Sequence, residues 1–411
     1  MEPVLDINDG SLALWQDGAI RLSSPGYALL DNESYRFGEV ARDQARLKPR
    51  SINHRYWSQL DLEPLTPAFG PGRHSADIVH AHLMDIYEQG GRPEQLIIAA
   101  PGNLQHDQLA LLLGIAQSCP FKVTGLVDRA VAATATQPVA PYNWHVDVQL
   151  HQTLLTGMRL ADGQLVHDTT VPIPGSGWLA LQEAMARAIA DAFIRQTRFD
   201  PRRAASTEQI LFDALQDILG RLQTSVETNV DIEGRQARIE RDALADALGS
   251  HYQRITRSLV GDNANIYLSP TLAQLPAINS VLPGAKQCAP TAIFEGIAHS
   301  REQVVAGDEG VHFVVSLPAA PDQQIDSGPA PAEASAPVQA APAAEKIPPA
   351  RCQIQFEADG IKLEPLSGSP VKVNGAVLEG PVSLRSGDLL EDAAGRRWRL
   401  TADDNSEDHG T

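Results

Sequence analysis

Apolar residues over the first three-quarters of this chain follow two rhythms: short runs bounded by turn residues, and longer stretches in which they recur every three or four positions. The first rhythm predicts strands and the second predicts helices. Val4-Leu5-Asp6-Ile7 and Leu12-Ala13-Leu14-Trp15 read as an opening hairpin. Gln16-Asp17-Gly18-Ala19 then turns into Ile20-Arg21-Leu22 on the favoured Asp-Gly pair. A helix is expected over Glu39–Leu47, ended by Pro49, and another over Ser75–Glu88, stopped by Gly90-Gly91. The unbroken run Gln95–Ala100 reads as a buried strand, and Leu109, Leu112, Leu113 and Ala116 mark a helix over Gln105–Ser118. Strand Lys122–Val127 leads into the alanine-rich helix Arg129–Ala135.

The alternation then repeats. Val146–Met158 reads as two strands joined by a turn, and Thr169–Ile173 as a third. Helices are expected over Gly177–Gln196, Ser206–Leu222 and Glu240–Leu259. Strand Ala264–Leu268 precedes helices at Thr271–Leu282 and Thr291–His299. This order predicts an α/β body, residues 1–317, with a mixed sheet in each half. From Pro318 to Ala350 large apolar side chains almost vanish, and the prolines predict a disordered, partly extended linker. Alternation resumes over 351–402, with Ile354, Phe356, Ile361, Leu363, Val371, Val373, Trp398 and Leu400, and turn pairs such as Asn374-Gly375. It predicts a small all-β sandwich. Residues 403–411 read as an acidic, solubilising tail.

Composition narrows the function. With 33 Lys+Arg against 51 Asp+Glu the net charge is −18, which argues against nucleic acid or anionic membrane as a general partner. Arg42, Arg46, Lys48, Arg50 and Arg55 are the one basic cluster, read as a solvated helix face leading into a loop. Cys119, Cys288 and Cys352 lie far apart with no metal spacing, which suits a reducing cytoplasm. The N-terminus carries no secretory pattern, and the greasiest run, Leu109–Ala116, is far shorter than the roughly 20 residues needed to span a bilayer. His80 and His82, two apart on a helix, face different ways and read as surface histidines.

One ordered set of blocks says more. It comprises Phe37-Gly38-Glu39-Val40-Ala41, Lys48-Pro49-Arg50-Ser51, Leu96–Ala100 with Pro101, Leu126-Val127-Asp128-Arg129-Ala130-Val131-Ala132-Ala133, Val230-Asp231-Ile232 with Arg238-Ile239-Glu240, and Ala292–Ala298. Together they resemble the ATPase domain of the 70-kilodalton heat-shock chaperones, relatives of actin and the sugar kinases, over nearly all of residues 1–300. The resemblance implies a two-lobed actin-like ATPase fold. In that family two glycine-rich hairpins aim backbone N–H groups at the phosphates, and cleft carboxylates hold Mg²⁺ through water.

The nucleotide-binding positions that this resemblance implies are Asp6, Gly10, Ser11, Arg55, Asp128 and Asp147. Around them the loops depart from the family pattern. The first hairpin is Asp6-Ile7-Asn8-Asp9-Gly10-Ser11, with Asn8 where glycine is expected and Asp9 where a hydroxyl should meet phosphate. The second is Asp147-Val148-Gln149-Leu150-His151-Gln152, which keeps the aspartate and loses all three glycines. Ser269-Pro270 stands for the adenosine-side Gly-Gly, Asp128 for the hinge glutamate, and Arg55 near the catalytic lysine.

At the other end, Val373-Asn374-Gly375-Ala376-Val377-Leu378 and Leu384-Arg385-Ser386-Gly387-Asp388-Leu389-Leu390 resemble the second half of a forkhead-associated domain. That family binds phosphothreonine; here its upstream serine and histidine are absent, and Arg351 is the phosphopeptide candidate. The expected function is a non-hydrolysing pseudo-ATPase scaffold or adaptor for protein partners, without cofactor. The alternative is a chaperone-like, Mg-ATP-dependent ATPase with divergent loops.

Overall fold

A computed structural model describes residues 2–259, 263–305 and 310–320, together with the backbone of seven strands between residues 352 and 399. The chain divides into a large N-terminal unit and a smaller C-terminal one. The large unit is mixed α/β, built on two six-stranded sheets.

In the first sheet Val4–Asp6 pairs antiparallel with Leu12–Gln16, which pairs antiparallel with Ala19–Ser24. On its other flank Val4–Asp6 runs parallel to Gln95–Ala100, and that strand runs parallel to Lys122–Asp128. The second sheet repeats the scheme. Tyr142–Val148, Gln152–Ala161 and Gln164–Pro174 form the antiparallel side, and Asn265–Leu268 and Lys286–Gln287 the parallel side. Numbered in chain order within each sheet, both sets of strands lie 3-2-1-4-5. The end of the large unit then supplies a sixth strand to each. Phe313–Val314 pairs with the Lys122–Asp128 strand, and Ser316–Pro318, one residue later, pairs with Gln164–Pro174.

Strand periodicity assigns the cores. Leu5 and Ile98 point to one face of the first sheet, where they meet Ile78, Leu83 and Leu112 from the helices Ser75–Gln89 and His106–Gln117. Val4, Ile97 and Ala99 point to the other face. There the short helices Arg129–Ala135 and Ala292–His299 lie in one cluster with Met158 and Leu165 of the second sheet. Those two helices touch backbone to backbone: a Cβ on Gly296 would stand 1.9 Å from the Ala132 carbonyl oxygen. The far side of the second sheet is covered by Trp178–Thr197, Ala205–Leu222 and Arg241–Ser258.

Several expectations need correction. The helix expected over Glu39–Leu47 is α-helical only over Glu39–Arg42. Beyond it Gln44 and Ala45 N–H bond three residues back, to the Ala41 and Arg42 carbonyls, and the turn is held by a side-chain amide. Arg46 N–H donates to Gln209 Oε1 (2.8 Å), and Gln209 Nε2 donates to the Arg42 oxygen (3.4 Å). The helix expected over Thr271–Leu282 splits into Pro270–Ala273 and Ile278–Val281, because Pro276 has no N–H to donate and Ala277 takes a left-handed φ of 61°. His82 is wholly buried rather than a surface residue: Tyr56 O–H and Trp57 Nε1–H donate to its Nδ1, and its Nε2 bonds Ser24 Oγ. Of the basic cluster Lys48, Arg50 and Arg55 are exposed as expected, and the two remaining arginines are paired at the surface. Arg42 pairs with Glu39 and Asp43, and Arg46 with Glu183 and Glu208 while stacking on Phe212.

Hydrogen bonding continues past residue 317. Pro318 pairs with Gln164, Ala319 N–H bonds Gly163 and Ala320 N–H bonds Ala135. Arg351, the rest of the expected linker and the acidic tail lie outside the described residues. In the C-terminal unit the strands are all antiparallel. One set is Cys352–Glu357, Gly360–Pro365 and Val382–Leu384; the other is Ala376–Val377, Lys372–Val373, Leu389–Glu391 and Arg397–Arg399.

Candidate functional site

Asp6 ends the central strand of the first sheet, and Asp147 stands near the end of the corresponding strand of the second. Both are buried, at 6% and 3% exposure, and the structure brings them to one guanidinium. Arg129 Nε and Nη2 donate to the two oxygens of Asp6 (2.7 and 3.0 Å), and Nη1 donates to Asp147 Oδ2. Arg129 opens a helix whose seven residues are all buried. Burial opposes its charge, but Asp147 and Asp6 more than offset this and push its pKa upward. For Asp6 burial pushes the carboxyl up, against the pull of Arg129.

Asp128 fixes that helix. Its Oδ1 accepts from Ala130 and Val131 N–H (2.8 and 3.1 Å), satisfying the helix N-terminus, and its Oδ2 bonds His167 Nδ1 of the second sheet at 2.7 Å. The bond to Asp128 raises the His167 pKa against the effect of burial. Asp128 therefore positions Arg129 rather than opening toward a cavity.

The two hairpins are bonded directly to each other. Asn8 Nδ2 donates to Asp147 Oδ2 (2.9 Å) and to the Val148 carbonyl (3.1 Å). Asp9 Oδ1 accepts from Leu150 N–H at 2.7 Å. Burial lifts the Asp9 carboxyl to about 7, with the Leu150 N–H pulling it down and Asp147 pushing it up. Gly10 and Ser11 have their N–H groups taken within the hairpin: Gly10 N–H donates to Asn8 Oδ1, Ser11 N–H to the Asn8 carbonyl, and the exposed Ser11 hydroxyl meets Ser23.

Behind the second hairpin the long helix Trp178–Thr197 begins, a potential anion site. Its first N–H groups are already spent, Trp178 on the Gln149 carbonyl (2.8 Å) and Leu179 on that of Leu150 (3.1 Å). This docking needs Gly177, where a Cβ would stand 2.2 Å from Gln152 N. His151, on the same hairpin, donates from Nε2 to the His54 carbonyl (2.9 Å) and lies 3.2 Å from His54 Nδ1. Burial lowers both imidazoles, His54 to about 4.

A cavity of about 250 Å³ remains beside the hairpins; Asn8, Gly10, Ser11, Arg42, Leu150 and Trp178 are among its lining residues. Arg55 is exposed and lines a different opening of about 1220 Å³, formed by the 49–69 segment with Gln105, Gln108 and Leu111. Asp6, Asp128 and Asp147 do not line that opening. The sequence-predicted residues thus separate: Asp6 and Asp147 meet, Asp128 supports them, Gly10 and Ser11 edge the small cavity, and Arg55 stands apart. Arg129, Asn8, His54 and His151 complete the cluster. Of these, Arg129 had a readable signal, a lone cation in an otherwise small and apolar helix next to strands carrying unmatched aspartates.

No protein-family model matches this sequence, and no curated protein matches it at a significant level.

Proposed function

We propose that the large unit is an actin-like, two-lobed body that binds no nucleotide and serves as a scaffold or adaptor for protein partners, with the C-terminal β-unit as a second binding module. The duplicated 3-2-1-4-5 sheets support the fold reading, since the chaperone-like resemblance implies two such halves. The direct bonding of the two hairpins carries the functional one. Phosphates held between such hairpins need free N–H groups and room for their oxygens. Here Asn8 and Asp9 span that gap, an arginine occupies the carboxylates, and the nearby cavity is smaller than the roughly 300–1,000 Å³ usual for ligand pockets. These residues do not fit a Mg-nucleotide.

The absence of a nucleotide cycle agrees with how the halves are joined. Arg46 and Gln209 tie the early segment to the helices of the second half, and Phe313–Pro318 adds a strand to each sheet. Calorimetric titration of the full chain with Mg-ATP tests the proposal. No heat is expected at millimolar ATP. Micromolar binding that Asp147→Asn weakens would refute it.

A further inference from the structure

Asp6 and Asp147 belong to different sheets, yet both carboxylates are removed from water and face the same group. Two buried anions side by side repel unless a positive charge lies between them. A bound hard cation would meet that need with six or more oxygen ligands. Here the planar guanidinium meets it with N–H donors, two arms on Asp6 and a third on Asp147, and Asn8 adds a fourth donor on the same Asp147 oxygen.

We propose that Arg129 is a tethered substitute for a divalent cation, neutralising Asp6 and Asp147 and joining their sheets so that closure of the body requires neither metal nor nucleotide. The comparison with a cation rests on the actin-like reading above; the joining rests on the geometry alone. Arginine suits the role because its charge does not titrate and its fork reaches two carboxylates at once. The support is built in: Asp128 caps the Arg129 helix and is itself held by His167 of the second sheet. The cation is therefore covalently part of the first half while its anchor and one of its anions belong to the second.

A charge-neutralisation cycle on the full chain tests this. Arg129→Met removes the charge and keeps most of the volume; Asp6→Asn with Asp147→Asn removes the opposing charges; the combined chain carries neither. Each partial change leaves an unmatched buried charge and is expected to lower Tm by about 10 °C. The combined chain is expected to melt above both. If it fails to exceed both, Arg129 acts through shape and the proposal is overturned. Where neither parent folds, cooperative unfolding of the combined chain supports the proposal and its failure to fold overturns it. Wild-type Tm is also expected to be unchanged between Mg²⁺ and EDTA. A Mg²⁺-dependent rise that Asp147→Asn abolishes would overturn the proposal, because a cation would then have its own place. ATP binding in the calorimeter with an intact cycle would instead sink the nucleotide-free reading and leave the latch standing.

Discussion

Asp9→Asn should stabilise this protein above neutral pH and lose that advantage as pH falls toward 4. The carboxyl is buried and accepts the Leu150 N–H, and burial lifts its pKa to about 7 from an ordinary 3.8. Below the unfolded value both states hold the proton, and the carboxyl costs nothing. Between about 4 and about 7 the unfolded chain gives up its proton while the folded chain keeps it, so stability falls as pH rises, and levels off above 7. Three pH units correspond to on the order of 4 kcal/mol. Asparagine removes this slope and keeps an oxygen for Leu150, but its Nδ2 needs a partner, at a cost of about 1–3 kcal/mol if it finds none. A net gain of about 1–3 kcal/mol at pH 8, turning to a loss of about 1–3 kcal/mol near pH 4 where only the unpartnered Nδ2 counts, is the expected result. Urea unfolding of both chains at pH 4.5, 6 and 8 reads it directly. A variant that is less stable at pH 8, or a difference that does not change with pH, refutes the assignment of Asp9 as a desolvated carboxyl.

Three further expectations concern the same region. Asp128→Asn should let the His167 pKa fall from its raised value, seen by NMR titration of the imidazole. It should also remove the stability that the pair contributes below about pH 6.5 and loses as pH rises through the folded His167 value. Gly177→Ala forces a methyl into the backbone of the second hairpin and should cost about 1–3 kcal/mol or more in denaturant unfolding; a neutral result would mean the hairpin docks less closely than described. A chain ending at His312 loses the sixth strand of each sheet and exposes both edges. It should melt lower and self-associate in size-exclusion chromatography, and an unchanged monomer of equal Tm would contradict that.

The elements legible in the sequence were those whose rhythm is set by burial on a whole face. Residues 96–100 are buried on both sides and read as an unbroken apolar run; Arg129–Ala135 is built of small residues after its first and is apolar but for Thr134. The short strands Ala28–Asp31, Ser34–Phe37, Pro64–Phe69 and Gly72–His74 were not legible: the first two are four residues each, too short to set a rhythm, and the last two carry prolines or a glycine that read as loop. At the site, Asp6 and Asp147 were found from their loops. Their partner was not, because Arg129 sits within a block read for its resemblance, and a salt bridge between separate sheets has no spacing in sequence. The turn after the Glu39 helix was equally out of reach, since the Gln209 amide that takes Arg46 N–H comes from a helix far along the chain.

The strand pair at the end of the large unit gives this architecture a load path. A pull on the chain beyond Ala320 arrives first at the bonds of Ala320 to Ala135 and Ala319 to Gly163, then at Ser316–Pro318, and two residues further back at Phe313–Val314. Tether and body are thus in mechanical series. Peeling away this one short segment strips a strand from both sheets, so tension on the chain beyond Ala320 is borne by the edges of both sheets at once.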